Sequence, residues 1–152
     1  MITVIAKLDP SSRARLSWIQ SFAASFGIVP RPIYGHITIC SIDAEKIDSV
    51  KASLAGRRAF NVDFTGVEVL RDERMIAALA TRTGALEELH AMLCPGNQWT
   101  PHTELLWDSL MDLNWVRSAM AGMFQSFTAT VSRIEFLDGS EVVDAIDLEA
   151  QV

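Results

Sequence analysis

Two histidines, His36 and His102, stand 66 residues apart, each at the head of a short, largely apolar run. The first run is Gly35-His36-Ile37-Thr38-Ile39-Cys40. The second lies within Trp99-Thr100-Pro101-His102-Thr103-Glu104-Leu105-Leu106-Trp107. An imidazole titrates near ~6.5, so a pair can divide proton transfer at neutral pH, one ring neutral as general base and the other protonated as general acid. Side chains alternate between the faces of a strand, which puts His36 and Thr38 on one side and Ile37 and Ile39 on the other. By the same rule His102 and Glu104 share a face with Thr100, and Thr103 points away. If His36, His102 and Glu104 converge, they are also a donor set for a divalent metal, although the short helical spacing of common zinc motifs is absent.

The elements that must position these residues occur in a doubled order. Ile2-Thr3-Val4-Ile5-Ala6 reads as a strand. Asp9-Pro10-Ser11 follows as a turn with Ser11 the expected N-cap, and Leu16, Ile19, Phe22, Ala23 and Phe26 then recur at helical spacing up to Gly27. Val29-Pro30-Arg31-Pro32 is an extended connector into the His36 strand, because a residue before proline is pushed out of the helical region. A helix is expected over about 44 to 55, with Ile47, Val50 and Leu54 on one face and Gly56 at its end. Strands follow at about 60 to 70 and 75 to 81, joined by the charged turn Arg71-Asp72-Glu73-Arg74.

From Gly84 the pattern begins again. A helix with Leu86, Leu89 and Leu93 leads to the His102 strand, then a helix from near Asp112 carries Leu113, Val116, Met120 and Met123. Two strands, about 127 to 137 and 142 to 148, flank Asp138-Gly139, a dipeptide suited to tight hairpins. Phe60 and Phe127 are 67 residues apart, close to the spacing of the histidines. The order and spacing predict a single domain over 1–152 with two lobes, a structural pseudo-repeat about a rough two-fold axis. The expected fold is α+β: mainly antiparallel sheet in two pseudo-symmetric lobes, helices on the outer faces, and a cleft between lobes walled by His36 and His102.

Composition narrows the function classes. With 152 residues, 49% of them hydrophobic, the chain can bury a packed core. No apolar stretch approaches the ~20 residues of a membrane span, and the N-terminal strand lacks the basic region and cleavage site of a secretory signal, so a cytoplasmic protein is expected. Cys40 and Cys94 sit inside apolar patterns without a CxxC partner and read as reduced, buried, small hydrophobes. The formal charge of −6 argues against coating long nucleic acid, where many phosphates must be neutralised. A small phosphate ester or one RNA end remains compatible.

At these residues the chain resembles the 2H phosphoesterase superfamily, the 2′-5′ RNA ligase-like and cyclic phosphodiesterase group. Its members carry two His-x-Thr or His-x-Ser motifs, one per lobe of a duplicated α+β fold. His36-Ile37-Thr38 matches the first motif, and Pro101-His102 and Leu105-Leu106 match the surroundings of the second. Glu104 departs from the pattern, standing where the family usually has Thr or Ser. The resemblance implies a phosphoesterase acting on a 2′,3′-cyclic phosphate or a 2′-5′ linked RNA end, with no metal or cofactor. His36 and His102 would be the acid and base, and Thr38 would donate to a non-bridging phosphate oxygen.

Glu104 leaves alternatives open. An ionised carboxylate cannot donate as a hydroxyl does, it repels a phosphate, and it favours the protonated form of a nearby histidine. Thr100, on the same face, is the substitute hydroxyl; Tyr34, on the face of His36, is a further substrate contact. Trp99 and Trp107 are available to stack on a base, though each taken alone is an ordinary core or rim aromatic. Arg31 reads as a solvated connector residue and His90, on a helix, as structural. The second function class is a non-catalytic relative that binds a nucleotide or phosphorylated metabolite; the third is the His/His/Glu metal site. No interface patch marks an oligomeric state.

Overall fold

The computed structural model describes residues 1–28, 35–70, 74–96, 98–108 and 112–151. In chain order these are β1 (Ile2–Leu8), α1 (Pro10–Phe22) with a 3₁₀ turn over Ala23–Phe26, and β2 (His36–Ile42); then a 3₁₀ turn at Ala44–Lys46, α2 (Ile47–Leu54), β3 (Phe60–Leu70) and β4 (Met75–Ala80). The chain continues with α3 (Gly84–Leu93), β5 (His102–Trp107), α4 (Leu113–Met123), β6 (Phe127–Asp138) and β7 (Glu141–Asp147). Residues 29–34 and 71–73, which include Tyr34, Arg31 and most of the expected Arg71–Arg74 turn, lie outside the described residues. The fold is α+β, as expected, with every ladder antiparallel. None of the described helices is long and apolar enough to cross a membrane.

The seven strands form one sheet in the order β2-β1-β6-β3-β4-β5, with β7 also on β6. Two long strands join its halves. The first part of β3 pairs with the first part of β6 (Phe60↔Val131, Val62↔Ala129, Phe64↔Phe127), and the remainder of each turns to β4 and to β1 and β7. Registers in the two halves correspond. Lys7↔His36 and Ile5↔Thr38 in β1–β2 match Leu79↔His102 and Ala77↔Glu104 in β4–β5. A bulge leaves Ile39 unpaired in the first ladder and Leu105 in the second, and further bulges skip Ser132 in β6 and Thr65 in β3. Bulges bend a strand and increase its twist, so four at corresponding places curve both halves alike.

The strand faces explain the core. Val4, Ala6, Ile37, Phe64, Ala78, Leu105 and Phe136 are fully or nearly fully buried, and they pack with Leu16, Leu54, Leu86, Val116 and Met120 from the four helices. Each buried Leu, Val or Phe contributes about 1.5–3 kcal/mol relative to exposure. The alternate residues of β2 and β5 are turned away from this core, with Thr38 and Glu104 exposed and His36 and His102 half-buried.

The N-cap of α1 is Asp9 rather than Ser11, with Pro10 as the first helical residue, where its missing N–H costs nothing. Asp9 Oδ2 accepts the Ser12 N–H at 3.1 Å and the Ser11 hydroxyl at 2.7 Å; Oδ1 accepts the Ser12 hydroxyl at 2.7 Å and the Thr130 N–H of β6 at 2.8 Å. One carboxylate thus caps a helix and ties it to a strand 121 residues away. Burial pushes Asp9 upward, but the donors from Thr130, Ser11 and Ser12 outweigh it and hold the pKa at about 2 against 3.8 for a free side chain. Since the folded value is depressed, this stabilisation is complete above pH 3.8 and is lost as pH falls through about 2. Asp9→Ala is expected to lower unfolding free energy at pH 7 by about 1–3 kcal/mol. Urea titrations at pH 7 and below pH 3 check this; the gap between wild type and variant should shrink at the lower pH.

Candidate active site

The first and last strands of the sheet order, β2 and β5, come into contact with each other. Curvature brings together what sequence separates. His36 and Thr38 lie on β2, and His102 and Glu104 on β5, at corresponding registers and on the faces turned from the core. Thr103 is buried on the opposite face. Burial lowers the pKa of His36; the carboxylates of Glu104 and Glu135 oppose that shift and His102 adds to it. The shift favours the neutral imidazole, the form able to accept a proton.

His102 is oriented by its own strand. Its Nδ1 lies 2.7 Å from the Thr100 carbonyl, which can only accept, so Nδ1 carries a proton and Nε2 is the nitrogen left for a reacting group. Thr100 thus meets the site through its backbone. Glu104 accepts a hydrogen bond from Trp107 Nε1 at 3.0 Å, which fixes one carboxylate oxygen along the strand. Trp99 bridges the walls: its Nε1 donates to the Thr38 carbonyl at 3.2 Å, its carbonyl accepts from Arg82, and its ring stacks on His90 with centroids 4.3 Å apart and planes within 4°. Arg82, Glu87, His90, Gln98, Trp99 and Thr100 line a pocket beside the site. His90 belongs to this stack, and burial lowers its pKa.

Gly35 shapes the approach to His36. It adopts φ +61°, and a Cβ there would collide with Arg13 Cγ of α1. Only glycine accepts both the left-handed backbone and that contact. Tyr34 lies outside the described residues. Cys40 and Cys94 are half-buried, less enclosed than the sequence suggests, and are in contact; burial and the Cys94 thiol push the Cys40 thiol up to about 12. Among the described residues no group of three His, Cys, Asp or Glu side chains is arranged to hold a metal ion.

Sequence reasoning missed Lys7, Arg133 and Glu135. Lys7 pairs in register with His36 on one side and Arg133 on the other, so the three share a face, and Glu135 sits one step along that face opposite Ile5 and beside Thr38's row. Glu135 lies 3.0 Å from Arg133 and 3.5 Å from Lys7. The signal was local and small: a lysine, next to last in the strand Ile2–Leu8, where Thr3 is the only other polar residue.

No family model matches the sequence, and no curated protein matches it. The fold is shared with solved structures at low sequence identity. Among them, TT0787 of Thermus thermophilus aligns over 99% of both chains with TM-score 0.68 at 15% identity. Escherichia coli LigT complexed with 3′-AMP aligns over 97% of both at TM-score 0.61 and 15% identity, and LigT is also known complexed with NADP+ and with ATP. A structure described as a phosphoesterase covers 97% of this chain at TM-score 0.58 and 17% identity. The likeness in fold extends along almost the whole chain.

Gly35→Ala should lower thermal stability by about 1–2 kcal/mol, the cost of forcing a side chain into the left-handed region. It should also displace the start of β2. Melting curves and the amide chemical shifts of residues 36–38 check this; unchanged shifts would refute the role given to Gly35.

Proposed function

We propose that this chain is a metal-independent phosphoesterase that opens a 2′,3′-cyclic phosphate or acts on a 2′-5′ linked RNA end, with its two halves a structural pseudo-repeat around His36 and His102. The observation that supports the reading is the meeting of β2 and β5, the strands on which His36 and His102 hold matching registers. Support for the substrate class comes from the superfamily fold and from the nucleotide complexes of LigT.

In this reading His36, kept neutral by burial, removes the proton from the attacking water. His102, with Nδ1–H anchored on the Thr100 carbonyl, presents Nε2–H to the departing alkoxide. Thr38 donates its hydroxyl to a non-bridging oxygen as charge builds on phosphorus. Glu104 cannot donate in the same way while ionised. It acts on charge, favouring the protonated form of His36. Its carboxylate in the cleft also favours the second reading, a relative that binds nucleotides without turning them over.

Hydrolysis of nucleoside 2′,3′-cyclic monophosphates and of short RNAs ending in a cyclic phosphate, with EDTA present, tests the assignment. Wild type should turn over, and His36→Ala and His102→Ala should each lose at least about 100-fold in kcat/KM. Glu104→Thr should be faster than wild type. An inert wild type that still binds nucleotide supports the binding-module reading; turnover abolished by EDTA refutes the two-histidine mechanism.

The acid limb of the kcat/KM profile reports the free enzyme's base and should lie below pH 6.5, where burial holds His36. Glu104 raises that value, so Glu104→Gln should move the limb to still lower pH. A limb that stays in place or moves upward would show that His36 is not the base.

A further inference from the structure

We propose that Lys7 is a substrate-binding residue, the cation that receives the anionic phosphate beside His36; this rests on the phosphoesterase reading above. The first ground is placement. Lys7 and His36 are directly opposed in the β1–β2 ladder, and side chains so paired share a face with Cβ atoms about 5 Å apart. The Lys7 side chain is one-third exposed, so its ammonium group has access to the solvent on the face that carries His36 and Thr38.

The second ground is a difference between the halves. The row His36-Lys7-Arg133 on the first corresponds in register to His102-Leu79-Gly66 on the second. The row Thr38-Ile5-Glu135 corresponds to Glu104-Ala77-Glu68. The lysine and the arginine in these rows both lie on the first half. A phosphate held between the histidines is therefore drawn to the β1–β2 wall, and the organic part of the ester is left to the Leu79 and Ala77 side.

The third ground is charge balance. Glu104 brings a negative charge where a hydroxyl donor would otherwise meet the phosphate, and an anion entering that cleft needs a compensating cation. Arg133 is committed, at 3.0 Å from Glu135 and 3.0 Å from Asp147. Lys7 stands 3.5 Å from the same Glu135 carboxylate, which steadies it while leaving ammonium donors for a second acceptor. The contact would be charge-assisted and oriented by a largely buried carboxylate.

The test uses Lys7→Met and Lys7→Arg with two readouts: KM for a nucleoside 2′,3′-cyclic monophosphate, and calorimetric Kd for a nucleoside 2′-monophosphate at low and high salt. Lys7→Met is expected to raise both constants at least about tenfold at low salt, less at high salt, with most of the loss recovered in Lys7→Arg. Melting curves show that the variants are folded. Constants within twofold of wild type, even with a lowered melting temperature, would make Lys7 only the partner of Glu135 and overturn the proposal while the phosphoesterase reading stands. A wild type that neither hydrolyses the cyclic ester nor binds the monophosphate would overturn both.

Discussion

The pairing of β3 with β6 is the constraint on which the rest of the structure depends. Five residue pairs from Phe60↔Val131 to Phe64↔Phe127 join the two halves, with Val62 opposite Ala129 at the centre. Beyond that seam both strands continue, β3 to β4 and β6 to β1 and β7. The seam therefore sets the angle between the halves, and the bulges at Thr65 and Ser132 bend each strand as it leaves. That bend carries β2 and β5, outermost in the sheet order, toward each other. No hydrogen bond within the site could substitute for it, because the histidines ride on strands whose positions are decided elsewhere.

Around that frame the local contacts act as stops. Asp9 holds the start of α1 to β6, Gly35 lets Arg13 close over the entry to β2, and Trp99 clips the second half to the Thr38 carbonyl of the first. Each is a polar or steric contact between segments far apart in sequence. The apolar core makes the cleft; these contacts set its two walls. Buried charge is used sparingly, and the Glu135 carboxylate that is largely enclosed has both Lys7 and Arg133 beside it, as an enclosed carboxylate requires.

What was legible in the sequence was whatever depends on period. Leu86 and Leu89 at helical spacing, or Ile37 and Ile39 at strand spacing, announce which face is buried. What depends on register was not legible. Nothing near Lys7 indicates that it will pair with His36 and with Arg133, because cross-strand neighbours are chosen by the whole sheet. The cap on α1 was misplaced by two residues because Asp, Ser and Thr compete for that position, and Thr130, absent from the local window, favours Asp9. The His90–Trp99 stack was invisible for the same reason, since a helix and a loop meet there only after the sheet has curved.

The meeting of β2 and β5 has a consequence for the chain's solubility. A sheet's outermost strands expose unpaired N–H and C=O groups that invite other chains to add themselves. Here the two outermost strands, β2 and β5, are in contact with each other. The strand left on the rim, β7, carries the charged residues Glu141, Asp144 and Asp147, and charged side chains blunt an exposed edge. The curvature that assembles two histidines thus also withdraws the surfaces along which copies of the protein would stack.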